Sequence, residues 1–195
     1  MKPAKVIIAL GGNIDSAIGG PALTIRAALE RLGDSQLSVE ATSRLFATPC
    51  FPKGAGPDYV NAAAVLSGLD DPHEILRVLH RVEAAFGRER LQRWGRRTLD
   101  LDLIAVGDRV LPDLETFQAW RSLPPEAQVA AVPDRLILPH PRLQDRAFVL
   151  VPLAEIAPNW WHPVLGRSVV ELVAELPGRE TANIRRLDTP ESVPH

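Results

Sequence analysis

The sequence predicts an α+β fold, an antiparallel sheet with helices packed on it and helical additions toward the C-terminus. Three observations carry this. Four strand-like runs are separated in turn by a helical pattern, a loop rich in Pro and Gly, and a second helical pattern. Both helical patterns open on start signals, Pro21 in the first and Asp71-Pro72 in the second. Hydrophobic residues make up 46% and charged residues 24% of 195, the balance of a soluble chain that can bury a core without disulfides or a structural metal.

KVIIAL (Lys5–Leu10) is a β-branched run closed by Gly11 and Gly12, a buried strand ending in a tight turn. The first helix runs from Pro21 to Gly33, with Leu23, Ala27, Ala28 and Leu32 at helical spacing. Leu37 to Phe46 alternates Leu37, Val39, Ala41, Ser43 and Leu45 on one face and reads as a single strand. Thr48–Asp58 is a loop, and Tyr59–Leu69 is the strand that pairs back through it. Asp71, Pro72 and Glu74 form a capping-box start for a helix carrying Ile75, Leu76, Leu79, Val82 and Phe86, ended by Gly87. Thr98–Val106 is the fourth strand. The order β-α-β-β-α-β is the split βαβ arrangement of a ferredoxin-like fold, with both helices on one face of the sheet.

The rest belongs to the same single domain, whose core spans about residues 5–165. Residues 111–133 read as an insertion with a turn or two of helix. VLVPLAEIAP is a short helix after a loop, and Ser168–Leu176 is a helix with Ser168 and Glu171 as its capping box. Residues 189–195 are a polar, frayed tail.

Net charge is −2, no match for nucleic acid over the whole surface, so an anion site must be a local cluster. The single cysteine, Cys50, reads as a small buried or half-buried residue. MKPAKVIIALGG is unlike a signal peptide, and no apolar stretch approaches the roughly 20 residues of a membrane span. A cytoplasmic monomer acting on small molecules, with no membrane or nucleic-acid partner, is the expectation.

Chemistry concentrates in RWGRRTLDLDLI, Arg93–Ile104. In a strand, residues i and i+2 share a face, so Thr98, Asp100 and Asp102 point one way and Leu99, Leu101 and Leu103 point into the core. An isolated D-x-D is usually a solvated strand face. Here Arg88, Arg90, Arg93, Arg96 and Arg97 stand immediately before it, against one acid, Glu89. Guanidinium forks suit polyphosphate, and paired carboxylates suit Mg²⁺. His140, with Arg142 and Arg146 on the same loop, adds phosphate-binding chemistry. Neither G-x-x-x-x-G-K-[ST] nor G-x-G-x-x-G occurs. A ferredoxin-like sheet that binds RNA would display aromatics on its strands, and only 5% of residues are aromatic.

Together ALGGN, FATP, GPDYVNAA, RVEAAFGR, RWGRRTLDLDLI, LPHPRLQDRAFVLVPL and AEIAP, in this order from about Val6 to Pro158, resemble the 6-hydroxymethyl-7,8-dihydropterin pyrophosphokinase family of folate biosynthesis. The resemblance implies transfer of the β,γ-pyrophosphoryl group of ATP to the pterin hydroxymethyl oxygen, with release of AMP. It implies two Mg²⁺ ions on Asp100 and Asp102, and phosphate clamps at Arg88 and Arg97, with Arg90 on a mobile loop and Trp94 closing over the site. His80, Glu83, Leu103, Arg135, His140 and Arg146 fall at positions around ATP. Tyr59 and Phe148 match a pair that stacks on the pterin, Asn61 an amide that reads its edge, and Thr48, Pro49 and Phe51 the loop completing that edge. Asp100 is a candidate proton acceptor from the hydroxymethyl group. The loops around Lys53 and Trp94 are expected to close when both substrates bind. The chain departs from the family in Arg96, where proline is frequent, in Gly12, where serine is more usual, and in Ile137 and Pro141. The alternatives are a nucleotide- or nucleic-acid-binding module using the arginines, and an inactive family member serving as a scaffold.

Overall fold

A computed structural model describes residues 4–50, 56–87, 97–124, 127 and 133–187. Its main sheet contains β1 (Val6–Gly12), β2 (Ser38–Thr42), β3 (Phe46–Thr48), β4 (Tyr59–Ser67), β5 (Asp100–Val106) and β8 (Arg185–Arg186). The order is β5-β1-β4-β3-β8, with β2 also on β4, and every pairing is antiparallel. This is the βαββαβ core expected, with α1 (Pro21–Gly33) and α2 (Pro72–Ala85) as its two helices.

Helices cover both faces of the sheet rather than one. Ile25 and Leu32 of α1 and Ile75 and Leu79 of α2 pack on Val6, Ile8, Leu10, Leu101 and Leu103. On the opposite face, Leu150 and Leu153 of α4 (Ala147–Ile156) and Leu172 of α5 (Val169–Glu175) pack on Ile7, Ala9, Ala63 and Ile104. All seven residues of β1 are buried. A strand without alternation needs cover on both sides, so VIIAL carries the signal for the second layer. α3 (Leu114–Arg121) is the helix of the insertion, and its Phe117 is buried. A short hairpin of β6 (Trp161–His162) and β7 (Arg167–Ser168), then α5 and α6 (Gly178–Thr181), complete the described chain.

Several local expectations change. The run Leu37–Phe46 is two strands. Ser43 donates its backbone N–H to the Ala63 carbonyl and accepts the Ala63 N–H on Oγ, while Arg44 is exposed between β2 and β3. Burial follows the odd residues up to Ser43 and shifts to Phe46 and Thr48 beyond it. In α1 the buried residues are Thr24, Ile25, Ala28 and Leu32, whereas Leu23 is exposed. Asp71 caps α2 by accepting the His73 N–H at 2.9 Å, and Glu74 faces Arg77 at 3.4 Å rather than turning back to the cap. At Ser168 the reciprocal capping box forms as expected. Gly11 and Gly12 belong to β1 and are not a turn. β5 begins at Asp100, two residues later than expected, because Arg97 and Thr98 are held against the end of β1. Among the described residues no helix is long and apolar enough to cross a membrane.

Candidate active site

The floor of the site follows from strand register. Gly11 lies opposite Asp100 on one side and opposite Asn61 on the other. Ala9 likewise lies between Asp102 and Ala63. Asn61 pairs with Phe46, and Tyr59 with Thr48. Cross-strand partners share a face, and so do residues i and i+2. Thr48, Tyr59, Asn61, Gly11, Asp100 and Asp102 therefore line one face, running from β3 across β4 and β1 to β5. With strands spaced about 4.8 Å apart, Asn61 and Asp100 stand roughly 10 Å from each other across a glycine. A Cβ on Gly11 would lie 3.0 Å from Asn61 Oδ1, so the glycine leaves room for that amide.

At the β3 end, buried Asn61 donates its Nδ2–H to Thr48 Oγ1 at 2.7 Å. Tyr59 is half-buried; burial raises its phenol pKa, Arg97 opposes this, and Cys50 and Asp100 add to it. Pro49 follows β3 and is exposed.

At the β5 end each carboxylate faces an arginine. Arg97 Nη1 pairs with Asp100 Oδ2, and Arg146 Nη1 donates to Asp102 Oδ2 at 3.0 Å. The carboxylates are not sealed off, with side chains 20% and 35% exposed. Arg146, just before α4, also lies with its guanidinium carbon 5.6 Å from the centre of the Phe148 ring. Arg146 and Phe148 thus come from the second helical layer to the face that holds Asp102.

The backbone before β5 is latched to β1. The Arg97 carbonyl accepts the N–H groups of Asn13 at 2.9 Å and Ile14 at 3.3 Å, and the Arg97 N–H donates to Asn13 Oδ1 at 2.9 Å. Asn13 Nδ2 also donates to the Pro57 carbonyl at 3.4 Å, joining the loop before β4 to the segment before β5. Asn13 has no signal in the sequence beyond its place in ALGGN, because its partners lie at Pro57 and Arg97. Gly12 has a physical reason too: a Cβ there would lie 2.6 Å from the Thr98 carbonyl oxygen.

Three of the residues predicted around ATP, Glu83, Leu103 and His140, meet along β5. Glu83, 1% exposed, accepts the Leu101 N–H on Oε1 at 2.7 Å, which ties α2 to the strand of the two aspartates. His80 is half-buried one turn earlier on the same helix face. Leu103 buries its side chain in the α1/α2 core, leaving its backbone for any contact at the edge. The His140 N–H donates to the Ile104 carbonyl at 2.8 Å, and Leu111 and Leu138 bridge alongside. Ile104 is the extra residue where the β1–β5 register shifts. His140 Nδ1 accepts the Arg142 N–H at 3.1 Å, which leaves the proton of a neutral ring on Nε2. Burial, then the Arg146 charge, hold the His140 pKa well below its ordinary value. Arg135 is exposed, and its charge is felt at Asp113, the cap of the insertion helix. Ile137 is buried, consistent with its lacking a polar pocket role. Phe51, Arg88, Arg90 and Trp94, with Lys53, Arg93 and Arg96, lie outside the described residues.

Comparison with known proteins places the chain in a family. The family model of 7,8-dihydro-6-hydroxymethylpterin-pyrophosphokinase (HPPK) matches residues 7–158, and the chain belongs to that family. A 2-amino-4-hydroxy-6-hydroxymethyldihydropteridine pyrophosphokinase of Synechocystis is 38% identical over 172 residues, covering 87% of this chain and 75% of the relative. One from Pseudomonas aeruginosa is 36% identical over 176 residues, covering 89% and 92%. Among solved structures, an HPPK-DHPS of Plasmodium falciparum superposes with a TM-score of 0.66 at 16% identity, over 95% of this chain and 45% of that one. The chain thus spans less than half of that two-part protein, and the likeness at this identity speaks for the fold. The activity is that of an ATP-dependent pyrophosphokinase acting on hydroxymethyldihydropterin in folate biosynthesis.

Proposed function

We propose that pyrophosphoryl transfer from ATP to 6-hydroxymethyl-7,8-dihydropterin takes place over Gly11, between the Asn61 end and the Asp100–Asp102 end of the sheet face. The observation that carries this is the register Asn61–Gly11–Asp100 across three adjacent strands. It puts an amide able to read a heterocycle edge and a carboxylate able to meet a cation on one side of a bare backbone.

On this reading Asn61, with Thr48 and Pro49, meets the pterin's polar edge, and Tyr59 and Phe148 supply ring faces. Asn61 keeps Oδ1 as an acceptor while Thr48 fixes its Nδ2, so the amide presents one defined orientation. Arg97 and Arg146 hold phosphate oxygens, and His140 adds a neutral Nε2–H donor. Glu83 sets the position of the aspartates by holding Leu101. Arg88, Arg90, Trp94 and Phe51, proposed for the same substrates, lie outside the described residues.

The donor set fits magnesium. Two partly exposed carboxylates share a strand face, and Mg²⁺ is usually held by one or two carboxylates with phosphate oxygens and waters filling the shell. Two Mg²⁺ ions on Asp100 and Asp102 would supply charge neutralisation at the triphosphate. Asp100 stands across Gly11 from Asn61, which supports it as the candidate acceptor of the hydroxymethyl proton. A cytoplasmic setting fits soluble substrates of this kind.

The test is the product. ATP, Mg²⁺ and the reduced hydroxymethylpterin are expected to yield AMP and the pterin diphosphate; ADP would contradict the assignment. Asn61→Ala is expected to weaken pterin binding far more than ATP binding, and equal losses would count against edge recognition.

A further inference from the structure

Residues beyond 158 lie outside the family match, yet the chain returns to the sheet beside the pterin end of the site. β8 pairs with β3, Arg186 opposite Phe46 and Arg185 opposite Ala47. The Leu187 N–H donates to the Leu45 carbonyl at 2.8 Å. Without β8, β3 would be an edge strand of three residues, and edge strands this short are held weakly. β3 carries Thr48, the acceptor for the Asn61 amide.

A second tie reaches the same segment from α4. Glu155 accepts the Arg44 backbone N–H at 2.9 Å and its Nε–H at 2.7 Å, with Nη2 also on the carboxylate. Burial alone would raise the Glu155 pKa, but the side-chain and backbone bonds from Arg44 outweigh it, and the Arg186 charge acts with them. Residues 44 to 47 are therefore each fastened from outside: Arg44 by Glu155, Leu45 by Leu187, and Phe46 and Ala47 by β8.

We infer that β8 with Leu187, and the Arg44–Glu155 pair, are positioning elements for pterin recognition that act through β3. They fix Thr48, and Thr48 orients Asn61. The inference rests on the reading that Asn61 meets the pterin. None of these ties is made directly to β5, Arg97 or Arg146, and Glu155 lies at the opposite end of α4 from Arg146, so the larger effect is expected at the pterin end.

The experiment uses the full chain with Leu187→Pro, which removes the N–H donated to Leu45, and Glu155→Ala, which removes the acceptor for Arg44. Asn61→Ala serves as the reference. Equilibrium dissociation constants for the pterin and for a nonhydrolysable ATP analogue are measured without turnover, alongside KM for each substrate. Both variants are expected to bind the pterin about three- to tenfold more weakly, the effect of a lost hydrogen bond, with the nucleotide constant within about twofold of wild type. Unchanged pterin binding in both, or equal losses for the two ligands, overturns the inference. Should Leu187→Pro fail to fold, Glu155→Ala decides the matter, because its tie lies at the surface. If Asn61→Ala itself binds the pterin normally, the pterin reading falls and this inference with it; if only the Asn61 variant is weakened, the inference alone falls.

Discussion

Gly12→Ala is the sharpest probe of how the aspartate strand is placed. The added Cβ would lie 2.6 Å from the Thr98 carbonyl oxygen and 3.5 Å from that of Arg97. Restoring a carbon–oxygen contact of about 3.3 Å requires the Thr98 carbonyl to retreat by roughly 0.7 Å. The atom in the way is backbone, so no side-chain rotation relieves it. Thr98 adjoins Arg97, whose carbonyl holds Asn13 and Ile14 and whose guanidinium pairs with Asp100. A shift of that size therefore reaches both Arg97, the proposed phosphate clamp, and the Asp100 carboxylate. Overpacking of this kind costs about 1–3 kcal/mol of stability, and misplacing a catalytic group by about 1 Å costs on the order of 100-fold in rate. The expected result is a turnover number about 10- to 100-fold lower and a higher Mg²⁺ requirement, with the pterin KM little changed. Steady-state kinetics across a Mg²⁺ titration, alongside thermal unfolding, provide the assay. Gly11→Ala is the control, because its Cβ would meet the Asn61 side-chain tip at 3.0 Å, and its effect is expected on the pterin KM. Wild-type turnover and Mg²⁺ dependence in Gly12→Ala would refute the reasoning.

Other expectations follow from the same contacts. Glu83→Ala leaves the Leu101 N–H buried without its acceptor, a cost of about 1–3 kcal/mol, visible as a lower unfolding midpoint, whereas Glu83→Gln keeps an acceptor and most of the stability. Asp102→Ala is expected to abolish turnover while thermal unfolding moves little, since Asp102 is partly exposed; normal turnover would remove its metal role. His162, between Phe117 and Trp160, has its pKa lowered by burial, then by the Arg121 charge, to about 4. The unfolded chain then binds the extra proton between its ordinary value of about 6.5 and the folded value. Stability is accordingly lost as pH falls through that window, by up to ~1.4 kcal/mol per pH unit, and His162→Phe is expected to flatten the slope in denaturant titrations at several pH values.

What was legible in the sequence is what repeats locally. The helix starts at Pro21 and Pro72, the Ser168–Glu171 capping box and the alternation of Leu99, Leu101 and Leu103 with Asp100 and Asp102 depend on neighbours within four residues, and each reappears in the fold, although the strand itself starts at Asp100. The break at Ser43–Arg44 was not legible, because its causes lie at Ala63 and Glu155, far along the chain. Nor was β8, since two residues have no period to detect. In the site, residue types and order were readable, but the flat Gly11 floor and the Thr98 carbonyl against Gly12 depend on strand register. Glu83 shows the limit most clearly. Its family position suggested a role beside the nucleotide, and its carboxylate in the fold holds the Leu101 backbone.

The charge pattern that first marked Arg93–Ile104 also resolves differently in three dimensions. Sequence suggested arginines on one side for phosphate and aspartates on the other for metal. The structure joins them: Arg97 pairs with Asp100, and Arg146, 44 residues along the chain, pairs with Asp102. Partly exposed pairs of this kind contribute little to stability, so they can exchange partners at small cost. On the proposed reading, Asp100 and Asp102 would hold the cation of a metal-bound triphosphate, and Arg97 and Arg146 would then be released toward its phosphate oxygens. Opposite charges would then remain in contact before and after binding. The paired state keeps two neighbouring carboxylates from repelling one another in the free protein, and it keeps both arginines within reach of the face where they are needed.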